Sequence, residues 1–281
     1  MLAPIEKLCY NTKKADKVGG VIMKLNVCTY NIRCDVKVDG INCFDGRKDL
    51  ILREFPKYKA DIIGFQEVLP HVRNWLEENL PGYTVVGTGR DKDRGGEHVC
   101  IAYRTDMFHL VSLDTFWLSD TPRVPGSRFG TDQSSCPRTC TAAILMSRDE
   151  RKVVRMYNTH LDHVGKLAQA QGMTLILSRI AEDEALYPGT PVILTGDFNI
   201  LPDSPVVAGI GKFSVGGRPL TDVTADVGGT FHAYKPSETL IKIDYIYTTA
   251  ECDASLSKTL TDNENGVYLS DHYPVLAEME V

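Results

Sequence analysis

Short apolar runs closed by Gly, Pro, Asn or Asp recur along nearly the whole chain, a rhythm that predicts many brief strands with helices between them. Strands are expected at Leu25–Ile32, Asp61–Phe65, Tyr83–Gly87, Val99–Arg104, Thr139–Met146, Val153–Thr159, Pro191–Thr195, Ile243–Tyr247 and Pro274–Met279. Helical spacing of apolar positions is clearest over Arg47–Lys57, His71–Leu80 and Lys166–Glu184. No Pro/Ser-rich linker divides the chain, and the Gly- and Pro-rich stretch Ser119–Pro137 reads as a long surface loop between strands.

The pattern contains an internal echo. Asn31 ends a strand as Tyr-Asn, a helix follows, and the next strand closes on Gln66-Glu67. Asn158 also ends a strand as Tyr-Asn, a helix follows, and the next strand closes on Gly196-Asp197-Phe198-Asn199. Two such strand–helix–strand halves suggest two sheets packed face to face, with their polar strand ends meeting at one cleft.

Those strand ends carry the candidate chemistry: Asn31, Gln66-Glu67, Asn158-Thr159-His160, Asp197-Phe198-Asn199 and Ser270-Asp271-His272, with Asp244 inside a further strand. Taken singly, Glu67 reads as a helix-capping acid, Asp197 as a turn former, and His160 and His272 as half-buried histidines. Asp244 resists such a reading, because an unpaired buried carboxylate costs several kcal/mol. Together the clusters offer carboxylate and amide oxygens with imidazoles, a set suited to Mg²⁺, Mn²⁺ or Ca²⁺. A hard cation offsets the negative charge that makes a phosphodiester resist attack. A carboxylate such as Asp197 can orient and deprotonate water, and a histidine paired with an acid can stay protonated against a phosphoryl group.

Composition narrows the classes further. The 281 residues are 43% hydrophobic and 24% charged, as in ordinary soluble proteins. A net charge of −6 argues against a protein that coats long nucleic acid with a basic surface. No apolar run approaches the ~20 residues of a membrane span, and residues 1–22 do not resemble a secretory signal. The eight cysteines, at 9, 28, 34, 43, 100, 136, 140 and 252, form no CxxC pair. Free thiols in a reducing cytoplasm are the expectation, with a Cys136–Cys140 disulfide as the alternative. Residues 1–22 carry no fold signal, and Met23, just before the first strand, is read as the natural start.

The ordered set YNIR, FQE, NTHLDH, LTGDFN, IDYIY and SDHYPV resembles the endonuclease/exonuclease/phosphatase superfamily, from about Met23 to Val281. The resemblance implies one catalytic domain over 23–281, an α/β four-layer sandwich of two packed, mostly antiparallel sheets flanked by helices. By the same resemblance, Glu67 is the main metal-ligating acid, Asn31 helps to bind metal or phosphate, and Asp271 is a candidate ligand of a second metal. Asp197 orients the attacking water, Asn199 contacts phosphate, His160 and His272 are the phosphate-contacting histidines, and Asp244 pairs with His272. Glu97 is expected as the partner of His160. The elements GGEHVCIAYR, FWLSDTP and GGTFHAY resemble an uncharacterised microbial branch. In it Trp117, Phe231 and His232, together with Arg138 and Asn158, are candidate substrate contacts, and simple loop packing is the competing reading of the aromatic pair Trp117 and Phe231.

The expected activity is hydrolysis of a phosphoester, in a small molecule or a nucleic acid, with Mg²⁺ or Mn²⁺. A nuclease acting on single-stranded or short nucleic acid is the alternative, and a non-catalytic binding protein on the same scaffold ranks below it. No protein partner is expected.

Overall fold

The computed structural model describes residues 22–149 and 151–281. The reading of the leader as non-native falls on residues outside these, Ile22 excepted. Cys9 lies outside them too.

The described chain forms strands β1 (Lys24–Asn31), β2 (Ile62–Val68), β3 (Tyr83–Val86), β4 (His98–Arg104), β5 (Phe108–Trp117), β6 (Thr139–Ser147), β7 (Val153–His160) and β8 (Val192–Asp197). The short strands β9 (Ser214–Val215), β10 (Arg218–Pro219) and β11 (Thr221–Asp222) precede β12 (Asp244–Thr248). After β13 (Lys258–Thr259), β14 (Asn263–Glu264) and β15 (Val267–Tyr268), the chain ends in β16 (Val275–Glu280). The helices are α1 (Phe44–Glu54), α2 (Pro70–Asn79), α3 (Lys166–Leu186) and α4 (Pro205–Ile210).

The long strands make two six-stranded sheets, ordered β13-β16-β1-β2-β4-β3 and β11-β12-β8-β7-β6-β5. Each contains one parallel pair, β1 with β2 and β7 with β8, and is otherwise antiparallel. The parallel pairs are the two halves of the echo, each joined through a helix, as a parallel connection requires.

Three apolar clusters fill the spaces between four layers. One holds Phe44, Leu50, Val72 and Leu76 of α1 and α2 against the first sheet. Another holds Met173, Ile176, Ile180 and Ile210 of α3 and α4 against the second sheet. The third lies between the sheets. Alternation along each strand assigns the faces. In β1, Leu25 and Val27 enter the inter-sheet cluster while Cys28 and Tyr30 pack toward the helices. Val154 and Met156 of β7, Ile193 of β8 and Ile246 of β12 join Leu25 between the sheets. Continuing at period two from these positions reaches Asn31, His160, Asp197 and Asp244. The inter-sheet layer is therefore apolar along most of its length and polar at one end.

Two departures from the sequence reading have physical causes. Strand β5 was not anticipated: it is the edge of its sheet, with exposed Leu110, Val111 and Leu113, and a register shift between Leu110 and Ser112 breaks the alternation. Helix α1 starts at Phe44, before the expected Arg47, and gives way at Phe55–Tyr58 to a 3₁₀ turn containing Pro56. The stretch between β5 and β6 is irregular, as its Gly and Pro content predicts.

Candidate active site

The site is assembled by strand register. His160 pairs with Asp197 across β7 and β8, Asp244 pairs with Asp197 across β12 and β8, and Asn31 pairs with Gln66 across β1 and β2. The sheets approach closely at this end, where a Cβ on Gly64 would lie 2.2 Å from Thr195 Oγ1. A Cβ on Gly196 would lie 2.3 Å from the Thr159 carbonyl oxygen, so the GDFN segment needs glycine there.

Asp197 is buried at the centre. Its Oδ2 accepts from Asn31 Nδ2 at 3.0 Å and its Oδ1 from the Asn199 backbone N–H at 2.9 Å. His160 Nε2 and His272 Nε2 stand 3.5 and 3.8 Å from Asp197 Oδ2. On its far side His272 donates from Nδ1 to Asp244 Oδ2 at 2.8 Å, and Thr230 Oγ1 donates to the same oxygen at 2.6 Å. Asn31 Nδ2 also donates to Glu67 Oε1 at 3.0 Å, while the Cys34 backbone N–H donates to Glu67 Oε2 at 2.8 Å.

Glu67 reaches this position from a bulge in β2, with φ at 62°. A left-handed backbone costs a side-chain-bearing residue about 1–2 kcal/mol. Among the described residues, eight other than glycine have positive φ, and five of them line this cleft: Arg33, Glu67, Asn199, Ala233 and Tyr234. Such strain, held by the surrounding fold, concentrates at functional sites.

Electrostatics separates the two histidines. Burial opposes a charged His272, but the charges of Asp244, Asp197 and Asp271 and the hydrogen bond to Asp244 outweigh it, raising its pKa to about 10. Burial and the nearby Arg138 and Arg90 guanidinium groups push His160 well below its ordinary value. At neutral pH one imidazole is therefore charged and the other neutral. Burial, reinforced by Asp244, lifts Asp197 to about 7, the range suited to a general base. Burial alone would raise Glu67, but the hydrogen bonds from Asn31 and Cys34 bring it below the ordinary carboxylate value.

Two groups of side chains can converge on a cation. Glu67, His160 and Asp197 each offer a ligand atom within 4.8 Å of the others, as do Asp197, Asp244 and His272. The second group is already satisfied by the His272–Asp244 ion pair, so the first is the better candidate. Its two carboxylates suit a hard divalent ion, and the His160 imidazole stands beside them. Asn31 links the two acids. Its amide oxygen accepts from the Arg33 backbone N–H at 2.9 Å, which turns the NH₂ group toward both acids. Asp271 lines the cleft outside both groups, 3.5 Å from Arg33 Nε.

The cleft encloses about 740 Å³, and Phe231, Arg138, Glu97 and Asn199 also line it. Phe231 stands beside His272 with ring centroids 4.9 Å apart. Four further residues singled out in the sequence have partners of their own in the structure. Asn158 is fully buried between the sheets, donating at 2.8 Å to the carbonyls of Phe65 and Cys100 and accepting from Gln66 and Thr195, so it ties the sheets together. Trp117 is also buried and away from the cleft lining; its indole donates to the Arg90 carbonyl at 2.6 Å. His232 is buried behind the cleft against Tyr273 and Tyr268. Glu97 receives both terminal nitrogens of Arg90, at 2.6 and 2.9 Å, and makes no hydrogen bond to His160.

Sequence reasoning passed over Arg33, Arg90 and His163, which also line the cleft. Arg33 was visible in the YNIR motif without an assigned role, and it bridges Asp39 and Asp271. Arg90 lies in a loop with no motif to mark it. Arg47 is fully buried and has no acid partner among the described residues: it donates to the carbonyls of Ile32, Arg33, Asn42 and Leu269, fixing backbone beside both Asn31 and Asp271.

Four layers with an acid- and histidine-lined cleft where the two sheets meet define a deoxyribonuclease-like sandwich. The sequence profile of the Endonuclease/Exonuclease/phosphatase family matches residues 28–272, and the chain belongs to that family. It is similar to an endonuclease/exonuclease/phosphatase structure from Bacteroides vulgatus, at 31% identity and TM-score 0.80, covering 92% of this chain and 99% of that one. It is also similar to a mannosyl-6-phosphatase of Bacteroides thetaiotaomicron, at 29% identity and TM-score 0.75, covering 91% of this chain and 99% of that one. A probable RNA exonuclease of Saccharomyces cerevisiae is 27% identical over 187 residues, 62% of this chain and 34% of that protein. The chain thus spans about a third of the length of that curated relative. The seven described cysteines are all free thiols. Among the described residues no helix is long and apolar enough to cross a membrane.

Proposed function

We propose that this chain is a divalent-metal-dependent phosphoester hydrolase in which Asp197 positions and deprotonates the attacking water. The observation that carries this reading is one buried carboxylate held between two histidines of opposite charge state, with Glu67 presented beside it on strained backbone. Glu67 and Asp197, the two carboxylates of the candidate cation group, would hold Mg²⁺ or Mn²⁺, which when bound would neutralise phosphoryl oxygens and stabilise the departing charge. Asp197 accepts the proton of the water as its oxygen adds to phosphorus. His272, kept protonated by Asp244, presents its Nε2–H to a phosphoryl oxygen. Neutral His160 and the Asn199 side chain complete the phosphate's surroundings.

Membership of the family supports phosphoester hydrolysis, and the likeness to a mannosyl-6-phosphatase favours a small phosphorylated substrate. A second reading, cleavage of single-stranded or short nucleic acid, draws on Phe231 and Tyr234, rings in the cleft on which a base can stack. The test is a panel of sugar phosphates, nucleotides, oligonucleotides and phospholipid headgroups with Mg²⁺, Mn²⁺ and Ca²⁺, with Asp197→Ala as control. Turnover that needs both cation and Asp197 is expected. No turnover in any arm, with cation still bound, would favour a binding protein instead.

A further inference from the structure

Arg138 stands immediately before β6 and is only 4% exposed, yet among the described residues its Nε and Nη1 groups have no hydrogen-bond partner. A buried guanidinium with unspent donors is costly to keep. Its nearest carboxylate offsets the charge but takes no hydrogen bond: Asp162 Oδ2 lies 3.7 Å from Nε. The oxygens of Asp162 already accept from Ser134 N and Oγ at 3.1 and 2.5 Å, and from Val164 N and Gly165 N at 3.1 and 2.7 Å. Arg138 donates its one made bond, from Nη2 to His163 Nδ1 at 2.9 Å. Because arginine can only donate, His163 accepts through Nδ1 and carries its proton on Nε2. His163 is exposed at the cleft, so a further donor is available there.

Every free polar group of this pair is thus a donor, and a fixed positive charge sits behind them. Strand order places the pair relative to the reacting centre. Asp197, His160 and Arg138 belong to the ends of β8, β7 and β6, successive strands of one sheet. Two strand spacings put the Arg138 backbone about 10 Å from that of Asp197 along the sheet.

We propose that Arg138 and His163 form an anion subsite, so that the preferred substrate carries a second phosphate-type group about one sugar unit from the phosphorus attacked. The inference rests on the phosphoester reading of the same cleft. A hexose bisphosphate and a short oligonucleotide with a neighbouring phosphate both supply this chemistry. A buried guanidinium favours an anion over a neutral acceptor, because charge-assisted hydrogen bonds are about twice as strong as neutral ones.

The experiment compares kcat/KM, with Mg²⁺ or Mn²⁺, in two arms: hexose 1,6-bisphosphate over hexose 6-phosphate, and a dinucleotide with over one without a 5′-phosphate. The doubly anionic member is expected to be preferred about ten-fold in at least one arm, and that arm identifies the source. Arg138→Gln is expected to lower the ratio about ten-fold and Arg138→Lys to restore part of it. Should Arg138→Gln fail to fold, the exposed His163→Ala is read instead, with a fall of about three-fold expected. Ratios near one in the wild type, or unchanged in these variants, overturn the subsite. Calorimetry with butane-1,4-bisphosphonate against butylphosphonate gives an independent reading. Arg138-dependent bisphosphonate binding without turnover of any phosphoester would retain the subsite and reject the hydrolase reading. Turnover without such dependence would do the reverse.

Discussion

His272 Nδ1 donates to Asp244 Oδ2 at 2.8 Å, and this contact joins the segment leading into β16 of the first sheet to β12 of the second inside the site. It gives the buried Asp244 carboxylate a charged partner, and it leaves the Nε2–H of His272 directed toward Asp197.

Asp244→Asn tests that coupling through the pH profile. Activity should rise with pH as Asp197 deprotonates and fall as His272, which Asp244 holds above the ordinary histidine range, loses its proton. The Asp244 charge raises both groups, so removing it should move both limbs to lower pH and reduce kcat. An unmoved alkaline limb would detach His272 from the chemistry.

Asp197→Ala and His272→Ala should each reduce kcat by about 10²–10⁴-fold. Circular dichroism should show the fold retained. Full metal-dependent activity in purified Asp197→Ala would remove the base from the mechanism.

Glu67→Ala should weaken Mg²⁺ or Mn²⁺ binding by at least about ten-fold in calorimetry. The left-handed backbone at this position tolerates alanine no better than glutamate, so stability should change little. Unchanged cation affinity would assign the ion to other ligands.

Asn158→Ala should destabilise the protein by about 2–4 kcal/mol, because it strands buried carbonyls of β2 and β4 together with Gln66. The KM of the folded fraction should stay near wild type. A large rise in KM with an unchanged melting temperature would return Asn158 to the substrate.

Burial, aided by the charge of His272, holds His232 at about 4. Its folded-state pKa lies below the ordinary value near 6.5, so the unfolded chain binds the extra proton first. Its neutral form therefore gives full stability above about pH 6.5, and stability declines as pH falls from there toward 4. At about pH 5, His232→Phe should be more stable than wild type by roughly 1–2 kcal/mol. Parallel denaturation curves against pH for the two proteins would refute this.

Residue order alone carried the architecture and the central acids and histidines. A strand buried on both faces must read as a continuous apolar run, and a polar residue ending such a run is fixed at the sheet's edge. That is why Asn31, Asp197 and His160 were recognisable before any coordinate was known. Tertiary structure decided what those side chains touch. Only folding set Glu97 against Arg90, turned the Asn31 amine toward the two acids, buried Asn158 between the sheets, and left Arg138 with unspent donors. Strand periodicity fixes the face a side chain points to, whereas its partners arrive from distant segments and depend on how closely the sheets approach.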